Sequence, residues 1–467
     1  MKLETKANLA MGAFLLACLI PSVGMFLLPE DPPTANQTLA QPPSLTTREG
    51  GLNWNALDEV TDYVADHFAL RQRLITANSA LEAAVLHTSA QDSVVLGKEG
   101  WLFYAETVDD YLHTDPLTDR ELSGAARTLA LASEYAQGQG ARLVFTVAPN
   151  KASLYSWYLP YVGRPMPVAN DIDRLVPLLE AQGVKYADLF APFREQYQEE
   201  ERVLYHATDS HWTNRGAALA HDALIEALGL EDSTEWFAQP GRDAPTHRGD
   251  LYEMLYPTGG ALSPDTEFDQ PFTFTYTRPV RGPEDLRIQT ENPEKTGSLL
   301  MFRDSFGNTL YPFLAEDYGQ ALFSRSMPWQ LTLLEETGAD TVIVELVERN
   351  LDYLVRRAPI FPAPRRGLTG EPPAGEAAAR AAAQEDGTLA GFLRLEGAVS
   401  GPVDVDSPIY VQLGETLYEA SPAGECEEGE YPFTLYVSAG SALDDIRVLY
   451  LLDGQVLQAG RTELSQA

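Results

Sequence analysis

Between about residues 94 and 357 short apolar runs alternate with amphipathic stretches, and nothing else in this chain restricts its fold so strongly. The runs are Arg142–Ala148, Val184–Leu189, Arg202–Tyr205, Ser298–Phe302, Gln320–Phe323 and Asp340–Leu346. Each has the length of a buried strand. The stretches Asp119–Gln137, Asp171–Gln182 and Asn214–Leu228 carry apolar groups at helical spacing. Strands joined by helical crossovers predict an α/β fold with a mostly parallel sheet, covered on both faces. Its ligand is expected beyond the carboxyl ends of the strands.

The flanks differ in composition. Lys2 and Lys6 precede an uncharged stretch from Ala7 to Pro29, roughly long enough to cross a bilayer, so residues 1–29 are expected to be a membrane anchor or signal segment of an exported chain. Residues 30–53 follow as a Pro- and Thr-containing linker, and 54–360 as the α/β domain, with helical spacing over about 54–83. Residues 361–388 read as a second linker, whose EAAARAAAQE tract is expected to form at most a short helix. In 389–467, alternating apolar positions and Asp453-Gly454 between two strands predict a small antiparallel β domain.

A formal charge of −35 repels phosphate backbones, so no nucleic acid partner is expected. The two cysteines, Cys18 and Cys426, make neither a CxxC zinc site nor a redox pair, and Cys18 lies in the apolar segment, which disfavours a structural disulfide. No cofactor is expected.

Two stretches carry chemistry. In TDSHWTN, residues 208–214, an extended backbone would send Asp209 and His211 to one side, while Thr213 is placed to cap the following helix. In MFRDSFGN, residues 301–308, Ser305 falls in a tight strand-to-helix turn, where its hydroxyl would stand above the sheet edge near amide donors, and Gly307 would let the backbone approach a reacting group. Together they make a proton-relay set: Ser305 as nucleophile, His211 as base, Asp209 orienting the imidazole. His67, His87, His113, His221 and His247 read as surface or packing residues, and a metal held by His206 with Asp209 and His211 is the weaker alternative.

GKEGWLFY (97–104), TVAPNK (146–151), TDSHWTN and MFRDSFGN, in this order, resemble the SGNH hydrolase-like domain of the alginate O-acetyltransferase family, across about residues 55 to 357. The resemblance implies a three-layer α/β/α domain, with the family's aspartate, histidine and serine at Asp209, His211 and Ser305. It also implies an exported enzyme that moves an acetyl group to a cell-surface polysaccharide, served by a multi-span membrane acyltransferase as acyl donor. Two departures stand out. Arg303 precedes Asp304-Ser305 where a Gly is usual, and no GxND block supplies an oxyanion asparagine, so Asn150 is the expected substitute. Arg303 is assigned either to the substrate or to a scaffold carboxylate. Trp101 and Phe103 are expected to pack beneath the site, and Tyr410, Tyr418 and Tyr436 are open to sugar stacking or to burial. An esterase and a non-catalytic glycan-binding protein remain the alternatives.

Overall fold

The computed structural model describes residues 8, 11, 12, 14, 19–21, 23–29, 31, 39–47 and 50–466, except 164, 166–168, 198–202, 231, 386, 426, 442, 444, 461 and 462. The expected anchor therefore lies partly outside the described residues, as do both cysteines. Among the described residues no helix is long and apolar enough to cross a membrane.

Two helices lead in, α1 (Ala56–His67) and α2 (Arg71–Val85). No α1 residue is buried, and α2 meets the rest of the chain through Thr76, which accepts from the Thr258 hydroxyl at 3.0 Å. A small hairpin, β1 (Val94–Leu96) with β2 (Leu102–Tyr104), precedes α3 (Ala105–Leu112) and α4 (Asp119–Gly138). Then come β3 (Arg142–Ala148), α5 (Asp171–Ala181), β4 (Lys185–Ala187) and α6 (Asn214–Leu228). A second hairpin pairs β5 (Gly241–His247) with β6 (Ser263–Phe268). After it run β7 (Thr275–Tyr276), β8 (Arg287–Glu291), β9 (Ser298–Phe302), α7 (Gly307–Asp317), β10 (Gln320–Ser324) and β11 (Thr341–Val347).

Among the described residues the central sheet has seven strands in the order β4-β3-β11-β9-β10-β8-β7. β4, β3, β11, β9 and β10 are mutually parallel, whereas β8 and β7 extend the edge antiparallel. Along β3 the side chains divide by alternation: Val144 and Ala148 join one core with α6 and α7, and Leu143, Phe145 and Val147 join another with α4 and α5. β9 divides likewise, Leu299 and Met301 against Leu300 and Phe302. The domain is thus the expected three-layer sandwich. One expected strand fails: Arg202 lies outside the described residues, and Tyr205 makes only an isolated bridge to Trp212.

The C-terminal region also departs from expectation. Strands begin inside the supposed linker, with β12 (Arg365–Arg366) and β13 (Ala378–Gln384). β13 is the alanine tract expected to be helical at most. Its Ala379 and Ala381 sit in the core of a β-sandwich, and it pairs along its length with β14 (Phe392–Ser400), so tertiary pairing overrides alanine's helix propensity. The remaining strands are β15 (Ile409–Leu413), β16 (Thr416–Ala420), β17 (Glu430–Ser438), β18 (Ile446–Leu452), β19 (Gln455–Gln458) and β20 (Glu463–Gln466). As expected, Asp453-Gly454 closes a two-residue hairpin, both residues with positive φ. Tyr418 and Tyr436 are buried, and Tyr410 is half-buried.

An ion network ties the two regions. Glu419 of β16, 1% exposed, accepts from Arg127 of α4 at 2.6 Å and from Arg366 of β12 at 2.7 Å. Arg366 also grips Glu134 of α4 at 2.6 and 2.7 Å. Removing one partner from a buried ionic cluster strands the others. Glu419→Ala is expected to lower the stability measured by chemical denaturation by about 3–5 kcal/mol, whereas a loss below about 1 kcal/mol, that of an exposed pair, would contradict this account.

Candidate active site

Ser305 follows β9 in a turn fastened by its neighbour. The Asp304 carboxylate accepts from the Phe306 amide at 2.8 Å, from the Val347 amide at the end of β11 at 2.7 Å and from the Asn350 side chain at 3.2 Å. The Asp304 amide donates in turn to Glu345 at 3.1 Å. The turn is therefore held by the adjacent strand, at the carboxyl edge where a site was expected. At Gly307 a Cβ would lie 2.5 Å from the Cβ of Arg303, so the glycine makes room for that side chain.

Asp209 and His211 sit in a loop, not in an extended strand. Tyr205 and Trp212 close its neck, the Thr213 amide donates to Leu204 at 2.9 Å, and Thr213 caps α6 by accepting from the Gly216 amide at 3.1 Å. The indole of Trp212 donates to the Phe306 carbonyl at 3.1 Å, which ties this loop to the serine turn. The Asp209 Oδ1 atom accepts from both the His211 amide, at 2.8 Å, and His211 Nδ1, at 2.7 Å. That turn geometry, rather than strand alternation, brings the pair together. His211 Nε2 lies 2.8 Å from Ser305 Oγ.

The second oxygen of Asp209 is also occupied, by His247 Nε2 and the Asp250 amide, each at 2.8 Å. Burial alone would raise the Asp209 carboxyl, but His211 and His247 hold it well below the usual range. Burial alone would lower His211, and the Asp209 carboxylate lifts it above its ordinary value. His206 stacks on His247 with ring centres 3.8 Å apart, and burial, then the neighbouring His247, push it down to about 3, so it stays neutral. Beneath the loop, Lys151 is 2% exposed and its ammonium donates to the carbonyls of Asp209, His206 and Ala207 at 2.5, 3.1 and 3.3 Å. Trp101 and Phe103 are buried as expected and face that ammonium at 5.6 and 5.1 Å.

The sequence reading passed over Lys151, His247 and Asp250. Lys151 ends the TVAPNK motif, so its place was marked but not its task. The other two belong to HRGD, residues 247–250, whose Gly249 presses against the Thr208 carbonyl: a Cβ would come within 2.2 Å. A glycine between a histidine and an aspartate was the available signal. Arg349, whose guanidinium lies 5.6 Å from the Phe306 ring and 5.5 Å from the Tyr104 ring, was also missed; among the described residues its Nη1 has no partner.

Two expected residues do other work. Asn150 is fully buried and donates its side-chain amide to Asp110 at 2.8 Å and its main-chain amide to Glu348 at 2.8 Å, which corrects the oxyanion assignment. Arg303 bonds Asn308 and, at 2.7 Å, the Pro283 carbonyl, with its guanidinium 5.4 Å from the Tyr311 ring, so it braces the turn from below. Among the described residues two groups of side chains bring donor atoms within 4.8 Å, as a cation site needs: His206, His247 and Asp265, and separately Asp209, His211 and Asp250. The expected combination of His206 with Asp209 and His211 is neither of them.

A layered sheet of this kind, with serine, histidine and aspartate chained at its carboxyl edge, is the arrangement of an SGNH-type hydrolase fold. Residues 94–293 match the family model described as "SGNH hydrolase-like domain, acetyltransferase AlgX", so this part of the chain is similar to that domain. The matched span ends before Ser305, which only the geometry brings to the site. A probable alginate O-acetylase AlgJ from Pseudomonas putida is 31% identical over 181 residues, 36% of this chain and 44% of that protein. The AlgJ of Pseudomonas syringae pv. tomato is 26% identical over 234 residues, 47% and 53% of the two chains. The chain spans about half the length of these curated relatives. Among solved structures, the O-acetyltransferase domain of Pseudomonas putida AlgJ aligns with 21% identity, a TM-score of 0.38 and coverage of 56% of this chain and 92% of that one.

His247 and His211 repel each other across Asp209 when both are charged. In His247→Ala, NMR titration of the ring protons is expected to give a higher pKa for His211 than in the parent; an unchanged or lower value would contradict the shared-carboxylate arrangement.

Proposed function

We propose that the chain is an acyl-transfer enzyme that moves an acetyl group to a hydroxyl of a polysaccharide through a covalent serine intermediate. The observation that carries this reading is the 2.8 Å contact between His211 Nε2 and Ser305 Oγ, with Asp209 on the opposite ring nitrogen at 2.7 Å. Ser305 Oγ attacks the acyl carbonyl carbon and its proton passes to His211 Nε2. Collapse of the tetrahedral adduct expels the donor's leaving group, which takes that proton and leaves acetyl-Ser305. A sugar hydroxyl then attacks the ester, gives its proton to His211, and Ser305 leaves with the proton returned. Asp209 keeps the Nδ1 hydrogen in place and offsets the imidazolium charge. The amide of Ser305 is the donor we assign to the oxyanion, in place of Asn150.

The same acyl-serine hydrolyses when water replaces the sugar, which is the esterase alternative. The relatives named as alginate O-acetylases favour transfer. On the same analogy we place the protein outside the cytoplasm, held by its N-terminal segment, with a multi-span membrane acyltransferase supplying the acyl group.

Three experiments test this. Ser305→Ala is expected to abolish hydrolysis of p-nitrophenyl acetate with an unchanged circular dichroism spectrum, and mass spectrometry of the parent is expected to find the acetyl group on Ser305. Turnover by the variant, or none by the parent, would favour a binding protein of the same fold. The base must be neutral, so kcat/KM should rise with pH through the lifted pKa of His211, above the ordinary 6.5. Asp209→Asn removes the lifting charge: the rising limb should move to lower pH, with a rate loss of roughly 10²–10⁴-fold. A limb that stays in place would exclude His211 as the titrating base.

A further inference from the structure

The β5–β6 hairpin rests on the loop that carries Asp209 and His211, tied to it by the Thr208 and Ser263 hydroxyls 2.6 Å apart. His247 ends β5 and Asp265 lies in β6, and a register shift between Pro245 and His247 sets His247 opposite Ser263. Such a shift re-aims a side chain. The loop adds His206, so three segments meet, and one donor atom from each of His206, His247 and Asp265 lies within 4.8 Å of the other two.

The group holds unused bonding capacity. The side chain of His206 is 2% exposed, and among the described residues its Nδ1 is buried without a partner. Its Nε2 stands 3.6 Å from Asp265 Oδ2, beyond hydrogen-bond reach. A buried imidazole left in this way calls for an explanation. Asp265 is fixed through its other oxygen: Oδ1 accepts from the amides of Asn214 and Thr266, each at 2.8 Å, which leaves Oδ2 to face His206. The 3.6 Å gap is close to the spacing of two corners of a tetrahedron around an ion held at roughly 2.0–2.1 Å. His247, with its side chain 33% exposed, gives the way in from solvent.

We propose that His206, His247 and Asp265 form a zinc site, and that filling it withdraws His247 from Asp209. Two imidazoles and a carboxylate suit a borderline transition ion, whereas magnesium and calcium prefer all-oxygen sets. The two rings now lie 10° from parallel with centres 3.8 Å apart, so their in-plane lone pairs run side by side. An ion reaches both only when the more exposed ring turns, which takes His247 out of the stack and away from Asp209 Oδ2, now 2.8 Å from its Nε2. Asp209 then loses one of two imidazoles and gains a dication nearby, which offsets the charge that balances the His211 imidazolium. Zinc is therefore an inhibitor; that consequence rests on the acyl-transfer reading, and the site itself does not.

The probe is zinc sulfate titrated into the untagged full chain, with affinity read by calorimetry and magnesium sulfate as control. One zinc should bind per chain, and magnesium should not displace it. His206→Gln, His247→Gln and Asp265→Asn should each weaken zinc by about tenfold or more, with circular dichroism spectra like the parent's. The partly exposed His247 and Asp265 keep the test decisive if the buried His206 variant misfolds. His211→Gln disables the other donor group and should bind zinc as the parent does. Zinc should slow hydrolysis of p-nitrophenyl acetate at the concentration that half-fills the site, and in Asp265→Asn only at roughly tenfold more. No binding by the parent, undiminished binding in the His247 and Asp265 variants, loss of binding in His211→Gln, or a rate indifferent to bound zinc would overturn the proposal. A parent inactive on the ester, with the binding results intact, would reject the acyl-transfer reading and leave the zinc site standing.

Discussion

One buried ammonium shapes the site. A lysine with almost no exposed surface loses its hydration, and burial brings Lys151 down to about 7. Its Nζ recovers part of that loss from three carbonyls of a single loop, those of His206, Ala207 and Asp209. Three oxygens spaced over four residues reach one cation only if the chain curls around it. The curl is what lets the Asp209 carboxylate meet both the amide and the ring of the residue two positions on. Trp101 and Phe103 are buried against the same ammonium, so the GKEGWLF element meets this loop through the lysine.

The serine turn is held by a comparable economy of charge. Asp304 collects donors from its own turn and from the end of β11, with Glu345 fully buried behind it. Burial, and then the nearby Asp304, push the Glu345 carboxyl well above its normal range, so the site avoids two adjacent buried anions by keeping one protonated. Glu348, raised to about 7 by burial, holds the Asn150 amide at the end of β3. The central strands β3, β11 and β9 are thus linked at their carboxyl ends by carboxyl groups, and Ser305 stands on that rim.

How much of this was legible in the sequence depends on the range of the interactions. β3, β9 and α6 match the expected limits, because each is a run whose burial or capping is written in its own residues. Ser305, His211 and Asp209, which lie within hydrogen-bond reach of one another in the order named, were marked by a tight turn and a helix cap, which are local signals. Asn150 and Arg303 were misassigned because their partners, Asp110 and the Pro283 carbonyl, are set by packing between distant segments. The alanine tract failed for the same reason: its intrinsic preference is helical, and only its partner β14 makes it a strand. His247 was dismissed for want of a neighbour in sequence, and its neighbour in space is Asp209, 38 positions away.

Two carboxylates compete for the His211 ring, and their surroundings separate them. Asp209 Oδ1 lies 2.7 Å from Nδ1 and Asp250 Oδ2 3.7 Å. Asp209 receives two main-chain amides and two imidazoles. Asp250 receives the amide and hydroxyl of Ser210 and the amide of Leu251. Burial, and next the charge of Asp209, raise the Asp250 carboxyl, while the donors around Asp209 keep it ionised. In the proposed acyl transfer, splitting a close carboxyl pair in this way would fix the roles, since the group that must stay charged to balance an imidazolium is the one with the most donors. The other serves the loop: by binding Ser210 between Asp209 and His211, Asp250 keeps the intervening residue from straightening the turn on which the contact with Ser305 depends.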